Sequence, residues 1–532
     1  MKHDPTFAVA SFVMNSVIHS LLACLALCAV GHAAEPAAIG PRTPCATNMP
    51  LDDPRQLIDP SPGDDRIQPQ RPALAEYVAK PDTSYCWVKR REGRLGAGTY
   101  AELTLTSQTW RGIAWKHRLF VIRPSTVRPD IRHGLLYIGG GEWDDGDELV
   151  PQVTGTSLDN RRQPSEKPTE QNRGNSACAA LSPAEDEPPP KEVRWLAEMA
   201  ERLGTPAVVL RNVPRQPMFG AKYEDQLISL TFDEYLATGD PEWPLLLPMV
   251  KSAVRAMDAA GQYAEQRWQL PIETYTVTGK SKRGWTAWLL GAVDARATAI
   301  APMVIDVLNM ARQMEHQRRT WGGFSYKIGD YTERGLQGRM AAPGGQALLS
   351  IVDPYRYRHR LKQPKLIVIG TNDHYWPLDA LNLYWDDLAG DKYLLYVPNN
   401  RHDLADLPRV AGAIGALHRH AATGRPMPEL SWRFTLGDDH LSLHVDADPP
   451  AHETRAWVAT SPARDFREAH WKAFPMARDT NRRRRYELAI PSTGFAALFG
   501  EFAYRTDPLP YSLSTNVRIV GRAASKDGPR EE

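Results

Sequence analysis

The chain has 532 residues, enough for two or three domains of ordinary size. Hydrophobic residues make up 42% and charged residues 24% of it, values typical of a soluble globular protein, which excludes a disordered chain and a multi-span membrane protein. The 64 Lys and Arg residues nearly balance the 63 Asp and Glu residues, so no overall charge draws the protein to nucleic acid or to an anionic membrane.

The first residues have the pattern of a secretory signal. Lys2 precedes an apolar stretch that is densest over residues 21–30, and the small residues Ala33 and Ala34 follow it. The apolar run is too short to span a bilayer, and the small residues suit a signal peptidase. We expect residues 1–33 to be cleaved and the protein to be exported, to the periplasm or the medium, without stable membrane insertion. An uncleaved anchor is the alternative.

Five cysteines occur in the sequence, and Cys24 and Cys28 lie within the predicted signal. Of the remaining Cys45, Cys86 and Cys178, two can pair in an exported protein. Cys45 with Cys86 is the preferred pair, because Cys178 lies in a polar insertion, but the sequence leaves the connectivity open. No cysteine spacing matches a zinc or haem site, and we expect no metal and no other cofactor.

The predicted structure begins after an irregular lead-in. Residues 34–75 are rich in Pro, Asp and Arg and show no periodicity. Alternating side chains over 99–106 and 115–122 predict a β-hairpin with a turn over 107–112. The short apolar run 134–138 predicts a strand that is buried on both faces.

Residues 151–192 are polar and proline-rich, and we expect a mobile surface insertion. Strands and helices alternate after it, which predicts a doubly wound, mostly parallel sheet in an α/β domain over 76–427. Residues 306–350 interrupt this alternation and are predicted to be a mostly helical lid. The predicted strands are 206–211, 273–278, 298–303, 365–370 and 392–397. The predicted helices are 193–203, 224–238, 245–266, 281–293, 378–388 and 404–421.

The pattern changes at residue 428 to short alternating segments separated by Pro and Gly turns. These segments predict a β-sandwich domain over 428–522, followed by a disordered tail over 523–532. The predicted strands of this domain are 431–435, 441–445, 456–460, 486–490, 496–504 and 514–520.

The residues that indicate chemistry lie where a predicted strand runs into a helix through Gly279, Ser281 and Gly284. Such a turn pushes a serine out over the edge of the sheet, as in the nucleophile elbow of α/β-hydrolases. We predict that Ser281 is a nucleophile and that the backbone N–H of Lys282 helps to bind the oxyanion.

This turn departs from the usual elbow pattern, because Arg283 occupies the position of the second glycine and Gly284 follows one place later. The alternative for Ser281 is therefore an ordinary helix N-cap. The side chains of Lys282 and Arg283 are expected either to be solvated or to bind an acidic group of the substrate. The pattern Gly-x-Ser-Lys/Arg-x-Gly also resembles the elbow of glucuronoyl esterases.

A serine nucleophile needs a base and an orienting acid, which follow it in the order Asp, then His, in this type of fold. Asp373 and His402 lie just beyond the last two predicted strands of the sheet, at the end where the sites of parallel sheets lie. We predict that His402 is the base and Asp373 the acid. Asp306 and Asp379 are the alternative acids, and a surface loop histidine is the alternative for His402.

A glycine-rich loop, Gly139 to Gly141, follows the buried strand 134–138, and we predict that Gly141 donates a second N–H to the oxyanion.

Three competing motifs are set aside. A phosphate-binding loop ending in Lys280-Ser281 needs a glycine where Thr274 stands. The acidic run 144–148 lacks the spacing of a calcium loop, and the basic run 482–485 lacks the interleaved aromatic residues of a nucleic-acid surface.

Five segments of the chain together form a recognisable set: residues 105–112, 209–214, 239–244, 281–286 and 302–306. They resemble the PhoPQ-activated pathogenicity-related protein family, and the resemblance covers roughly residues 75–520. It implies an exported protein with an α/β-hydrolase core, associated in some bacteria with envelope stress and virulence regulation. It also implies that Ser281, Asp373 and His402 occupy positions consistent with a hydrolase triad.

We therefore predict an exported serine hydrolase that cleaves an ester or peptide bond in a small-molecule or peptide substrate. Relatedness to hydrolases of the prolyl-oligopeptidase type leaves both bond types open. The alternative is a catalytically inactive secreted binding or signalling protein that keeps the hydrolase scaffold. No nucleic-acid partner is expected, and the sequence indicates neither the substrate nor the oligomeric state.

Overall fold

The structure is a computed structural model that describes residues 73–143, 188–506 and 508–522. The predicted signal, nearly all of the lead-in and the polar insertion, the acidic run 144–148 and the predicted tail lie outside the described residues. The described helices are α1 Ala73–Ala79, α2 Lys191–Leu203, α3 Glu224–Thr238, α4 Leu246–Trp268, α5 Lys282–Val293, α6 Met310–Trp321, α7 Gly329–Thr332, α8 Leu336–Arg339, α9 Pro343–Val352 and α10 Leu407–Thr423.

Nine strands of the first part of the chain form one sheet in the order β1-β2-β3-β5-β4-β6-β7-β8-β9. These strands are β1 Cys86–Leu95, β2 Gly98–Trp110, β3 Ile113–Arg123, β4 His133–Ile138, β5 Ala207–Leu210, β6 Thr274–Lys280, β7 Ala297–Met303, β8 Lys365–Gly370 and β9 Lys392–Val397. The pairs from β1 to β5 are antiparallel, and every pair from β5 to β9 is parallel. This mixed, mostly parallel sheet has the α/β-hydrolase fold, which confirms the predicted fold class.

Burial on both faces of the sheet explains the apolar runs that predicted its strands. All six residues of β8 are buried, and so are the four residues of β5. Helices α4 and α5 cover one face of the sheet, and helices α2 and α10 cover the other. The carboxyl ends of β6, β8 and β9 lie at one edge of the sheet, which is where the predicted Ser281, Asp373 and His402 follow them.

Three details of the sheet differ from the sequence prediction. Strand β2 continues through residues 107–110 with an irregular register near Gln108, so the turn is confined to Arg111 and Gly112. Strand β1 was not predicted, and its side chains are mostly half-buried at the edge of the sheet. The predicted helix over 378–388 is wrong, because only a 3-10 turn, Ala380–Leu383, forms there.

Tertiary contacts explain the missing helix. Asp379 accepts hydrogen bonds from His316 and Arg464, and Asn382 donates one to the carbonyl of Val517. These side chains bind groups far along the chain, so the local preference for a helix does not decide the conformation of this segment.

The remaining strands form two antiparallel sheets, β10-β11-β15-β14 and β13-β12-β16-β17, with β18 paired to β16. Leu443 of β11 packs against Phe502 and Gly500 of β16, so the two sheets face each other across an apolar layer, as in a β-sandwich. These strands are β10 Glu429–Leu436, β11 His440–Asp448, β12 Glu453–Ser461, β13 Lys472–Pro475, β14 Ala477–Arg478, β15 Arg483–Ala489, β16 Gly494–Tyr504, β17 Tyr511–Ser514 and β18 Arg518–Arg522. The single strand predicted over 514–520 is therefore split into two.

The β-sandwich packs directly on the last strand of the large sheet. The ring of Phe499 lies 5.1 Å from that of Tyr396 in β9, and the Tyr396 N–H donates to Ser514 Oγ at 3.0 Å. Both rings belong to one buried apolar cluster. The sandwich is therefore fixed next to the end of the sheet that carries His402.

Within the described residues, the helices lack the combination of length and apolarity that a membrane span requires. Cys86 is disulfide-bonded, and each of the other cysteines lies outside the described residues. The pairing of Cys45 with Cys86 therefore stays a prediction.

Candidate active site

Ser281 lies in the sharp turn between β6 and α5, with φ 57° and ψ −125°. A positive φ is strained for a residue with a side chain, and a strained strand-to-helix turn is typical of a nucleophile elbow. The backbone N–H of Ser281 donates to the carbonyl of Met303 at 2.9 Å, which ties the turn to the neighbouring strand. Ser281 takes the N-cap position of α5, but its side chain makes no capping hydrogen bond to that helix.

The displaced glycine of the motif has a packing role. A Cβ at Gly284 would lie 2.9 Å from the carbonyl oxygen of Gly279 and 3.1 Å from the nitrogen of Met303, so only glycine lets α5 approach both strands. A Cβ at Gly279 would lie 2.8 Å from the backbone of Arg283. The close contact between strand and helix therefore falls on Gly284, and Arg283 can occupy the usual glycine position.

Both cationic side chains after the serine are buried in ion pairs. Lys282 Nζ lies 2.8 Å from Asp225 Oδ2, and Arg283 binds the Glu224 carboxylate with two nitrogens, at 2.8 and 2.5 Å. Burial raises the pKa of Glu224, but hydrogen bonds and charge from Arg283 outweigh it and lower the pKa to about 2. The expectation that these cations are solvated is therefore wrong. Their binding of an acidic substrate group stays a prediction, and such a group would have to compete with Asp225 or Glu224.

His402 and Asp373 are joined by a hydrogen bond between Nδ1 and Oδ2 of 2.8 Å. The other carboxylate oxygen of Asp373 accepts the N–H of Tyr375 at 2.9 Å, which fixes the orientation of the acid. The second ring nitrogen of His402, Nε2, is buried and has no hydrogen-bond partner in the part of the chain that the structure describes. The structure thus orients His402 through Asp373 but does not join it to Ser281 by a hydrogen bond.

The two alternative acids bind other partners. Asp306 is fully buried and accepts a hydrogen bond from the hydroxyl of Tyr384. Its burial raises its pKa to about 7. Asp379 pairs with His316 at 2.6 Å and with Arg464 at 2.9 Å. Of the three candidate carboxylates, Asp373 is the one that contacts His402.

The loops that carry Asp373 and His402 are bound to the segment between β12 and β13. Asn372 Nδ2 donates to three backbone carbonyls of this segment, the shortest at 2.7 Å to Ala469. Asn399 exchanges two hydrogen bonds with the backbone of Trp471, at 3.0 and 2.8 Å. The β-sandwich therefore holds the loops of the predicted acid and base directly.

Ser281 and His402 lie in the wall of one cavity of about 270 Å³. Much of the remaining wall comes from the predicted lid, over α6 to α9, including Met314 and Leu336. The ring of Tyr375, which also lines the cavity, lies 4.3 Å from the ring of His402. The stretch predicted as a lid thus covers the predicted nucleophile and base.

The two predicted oxyanion donors, the backbone N–H groups of Lys282 and Gly141, lie in different places relative to the cavity. Lys282 is the first residue of α5 and lines the cavity beside Ser281. The loop of Gly141 follows β4, the neighbour of β6, and is bound to the backbone of Asn212 and Val213. Gly141 is not among the described residues that line the cavity, so its role stays a prediction.

Sequence reasoning missed four residues that this site depends on: Asp225, Asn372, Tyr375 and Asn399. Asn372 and Tyr375 adjoin the predicted acid, and Asn399 lies three residues before His402, so their positions were a usable signal. Asp225 follows Glu224 at the start of a predicted helix, where acidic residues are common without a special role. Within the described parts of the chain, no cluster of three His, Cys, Asp or Glu side chains suits a metal ion.

Comparisons with known proteins show the family to which this chain belongs. The model of the PhoPQ-activated pathogenicity-related protein family matches residues 74–467. Autocrine proliferation repressor protein A of Dictyostelium discoideum is 29% identical over 416 residues, which cover 74% of this chain and 76% of that protein.

Solved structures with a similar chain path include esterases. The acetyl xylan esterase from Paenibacillus sp. R4 is 14% identical with a TM-score of 0.41, over 64% of this chain and 92% of the esterase. The glucuronoyl esterase from Solibacter usitatus is 15% identical with a TM-score of 0.32, over 65% of this chain and 91% of the esterase. The strand order, rather than these distant likenesses, assigns the fold of the present chain.

Proposed function

Because the chain belongs to the PhoPQ-activated pathogenicity-related protein family and orients a histidine beside a strained serine turn, we propose that it is a serine hydrolase. Ser281 is the nucleophile, His402 the base and Asp373 the orienting acid in this proposal. The observation that carries it is the 2.8 Å hydrogen bond to Asp373 from His402, which lines the same cavity as Ser281.

The proposed reaction begins when Ser281 Oγ attacks the carbonyl carbon of an ester or peptide bond and passes its proton to His402 Nε2. The backbone N–H of Lys282, together with that of Gly141, stabilises the negative oxygen that forms. When the tetrahedral intermediate collapses, the bond to the leaving group breaks and Nε2 protonates that group. Asp373 keeps the imidazole in the required tautomer and stabilises its charged form.

The second half of the proposed reaction returns the enzyme to its first state. A water molecule attacks the acyl group on Ser281, and His402 Nε2 takes a proton from that water. Collapse of the second intermediate releases the carboxylic acid and returns the proton to Ser281 Oγ. Nε2 has no hydrogen-bond partner among the described residues, so it can accept this proton once substrate brings Oγ into line.

A fluorophosphonate probe tests the proposal, since it reacts only with an activated serine. We expect the wild-type protein to be labelled and Ser281→Ala and His402→Ala to be unlabelled. Ser350→Ala and His359→Ala serve as matched controls and should label like wild type; Ser350 lies on α9 with its hydroxyl bound to Ala347, and His359 is exposed. Absence of labelling in the folded wild-type protein would overturn the proposal.

A second candidate is a secreted binding or signalling protein without catalysis. The missing hydrogen bond between His402 Nε2 and Ser281 favours it, and so does the name of the Dictyostelium relative, a repressor of proliferation. This candidate predicts that wild type and Ser281→Ala act equally well on target cells. The labelling experiment above separates the two candidates.

We further propose that the protein is exported after cleavage of residues 1–33, that it acts on a small-molecule or peptide substrate rather than on nucleic acid, and that it contributes to virulence or envelope-stress regulation. The disulfide at Cys86 supports export, because such bonds persist in oxidising compartments. N-terminal sequencing of protein recovered from outside the cytoplasm tests the cleavage. An intact Met1 in that protein would contradict it.

A further inference from the structure

The cavity at Ser281 has mainly apolar walls. Trp285 and Ile305 form the side next to the sheet, and Met310, Met314 and Leu336 belong to the helices that cover it. Methionine side chains are flexible and adapt to ligands of different shape. The cavity is therefore suited to a flexible apolar group.

The charges in this cavity compensate one another. Asp225 forms an ion pair with Lys282 at 2.8 Å and accepts the hydroxyl of Tyr331 at 2.9 Å and that of Tyr375 at 3.4 Å. Because its partners are already bound, Asp225 has little capacity to bind a substrate ammonium group, and Lys282 has little to bind a carboxylate. A charged group that entered would lose its water without gaining a partner, which is costly.

The guanidinium of Arg283 is equally unavailable. It binds Glu224 with two nitrogens and the carbonyl of Val213 with the third. Among the described residues, Lys282 and Arg283 therefore offer no free cation to an anionic sugar or lipid headgroup.

The volume of the cavity sets the length of the group it can hold. For comparison, an engineered apolar cavity of about 150 Å³ in another protein holds benzene, which has six carbons. The cavity of about 270 Å³ therefore has room for a chain of medium length, and an acetyl group would leave most of it unfilled.

We propose that this cavity is the acyl-binding site and that it selects uncharged, apolar acyl groups of roughly eight carbons over acetyl and over carboxylated groups. This inference rests on the proposed function, since it assigns the acyl part of the substrate that Ser281 attacks. Each methylene that the cavity buries increases the specificity constant up to roughly fourfold.

The first test is kcat/KM for p-nitrophenyl esters from acetate to dodecanoate. We expect a rise of at least about a hundredfold from acetate to a maximum near octanoate. The hemisuberate ester has the same chain length with a terminal carboxylate, and we expect it to react at least about tenfold more slowly than octanoate. A profile that is flat or highest at acetate would overturn the proposal, and so would a hemisuberate that reacts as fast as octanoate.

The second test changes the length of the cavity. Ala311 is exposed at its rim on α6, so Ala311→Phe can narrow it without disturbing the core. We expect this variant to shift the maximum to shorter esters. Ala347→Phe, on an exposed position of α9 outside the cavity lining, is the matched control and should keep the wild-type profile. An equal effect of both variants would contradict the assignment of the cavity.

A third measurement separates failure of this inference from failure of the proposed function. Octan-1-ol should raise the melting temperature of wild type and of Ser281→Ala, but not that of Ala311→Phe, because binding to the folded state stabilises it. Fluorophosphonate labelling without chain-length preference would leave the hydrolase proposal standing and overturn the acyl site. If octan-1-ol stabilised the wild-type protein but the fluorophosphonate did not label it, the cavity would bind an apolar chain without catalysis. That result would overturn the hydrolase proposal and the acyl specificity that rests on it.

Discussion

The two halves of the candidate active site are held in different ways. The serine half is fixed by buried charges, since Lys282 and Arg283 pair with Asp225 and Glu224 at the start of α3. The acid and base half is fixed by neutral amides. Asn372 and Asn399 bind backbone groups of the segment between β12 and β13.

Because of this difference, substitutions in the serine half should change mainly the stability of the fold, and substitutions in the acid and base half should change mainly the geometry of the site. Removing one partner of a buried ion pair leaves an uncompensated charge, so the serine half should respond to substitution mainly through the free energy of unfolding. Removing a neutral amide leaves only unpaired backbone groups and loosens a loop. The acid and base half should therefore respond mainly through the rate of the proposed reaction.

The largest expected effect falls on the orienting acid. Asp373→Asn should lower the rate of fluorophosphonate labelling and of ester hydrolysis by roughly 10³ to 10⁴, because the imidazole loses its tautomer and its counter-charge. Asp379→Asn is the matched control, since this buried carboxylate binds His316 and Arg464 instead, and it should keep most of the activity. Loss of activity in Asp379→Asn with retention in Asp373→Asn would reverse the assignment of the acid.

Next in size is the effect of breaking the ion pair behind the serine. Glu224→Gln should lower the free energy of unfolding by roughly 1–3 kcal/mol in urea titrations at pH 7, because Arg283 stays buried without its counter-charge while solvent partly screens the pair at Glu224. Glu315→Gln breaks an exposed pair with Arg319 on α6 and should cost less than about 1 kcal/mol. Equal losses in the two variants would show that burial of the elbow pair has no energetic consequence.

The same pair gives a pH dependence with a defined sign. The folded-state pKa of Glu224 is lowered from 4.5 to about 2, so its contribution is present above pH 4.5 and is lost as the pH falls towards 2. The difference in free energy of unfolding between wild type and Glu224→Gln should therefore become smaller as the pH falls from 4.5 towards 2.

The sequence could predict the parts of the fold that local pattern determines. The buried strands β4 to β9 were visible as apolar runs, and the order of Ser281, Asp373 and His402 followed from the strand ends. The helix predicted over 378–388 failed because Asp379 and Asn382 bind residues far along the chain. A local pattern contains no information about such partners.

The family segments were specific but did not reveal their roles. Arg111 from the first of them pairs with Asp240 at 2.6 Å, and its guanidinium lies 4.1 Å above the ring of Trp243. These contacts join the β2–β3 turn to the loop before α4, so the segments 105–112 and 239–244 pack against each other. The segments that begin at Ser281 and at Pro302 contribute side chains to the wall of the cavity, through Ser281, Lys282, Trp285 and Ile305.

The cations after the serine show why charge is hard to interpret from sequence alone. Lys282 and Arg283 were expected to be solvated or to bind an acidic substrate group, yet the structure pairs them with Asp225 and Glu224, more than fifty residues earlier in the chain. A pairing across that distance follows from the topology of the sheet and not from local spacing. The amide contacts of Asn372 and Asn399 could not be predicted from the sequence for the same reason.

A smaller effect should follow from loosening the base loop. Asn399→Ala removes two hydrogen bonds to the backbone of Trp471, and we expect roughly a tenfold lower rate of labelling with a modest change in melting temperature. Asn481→Ala, on an exposed turn of the β-sandwich, is the control and should leave the rate unchanged. A variant Asn399→Ala with full activity would indicate that the sandwich supports the fold without positioning His402.

The smallest effect concerns the scaffold that both halves share, at the opposite end of β4. His133 is buried there against Thr274 and Thr276, and its ring lies 4.9 Å from that of His418. Burial lowers the pKa of His133 to about 4, so the folded protein keeps it neutral. The unfolded chain binds its proton near the ordinary value of 6.5, so stability is complete above that pH and is lost as the pH falls towards 4.

This titration can be measured without touching either half of the site. Between pH 7 and 5.5 wild type should lose about 1 kcal/mol more free energy of unfolding than His133→Gln, which has no proton to bind. His359→Gln, at an exposed histidine, should follow wild type over the same range. If His133→Gln lost stability as steeply as wild type, the acid sensitivity would have to come from other buried groups, of which His117, with its pKa also lowered by burial to about 4, is the first to replace.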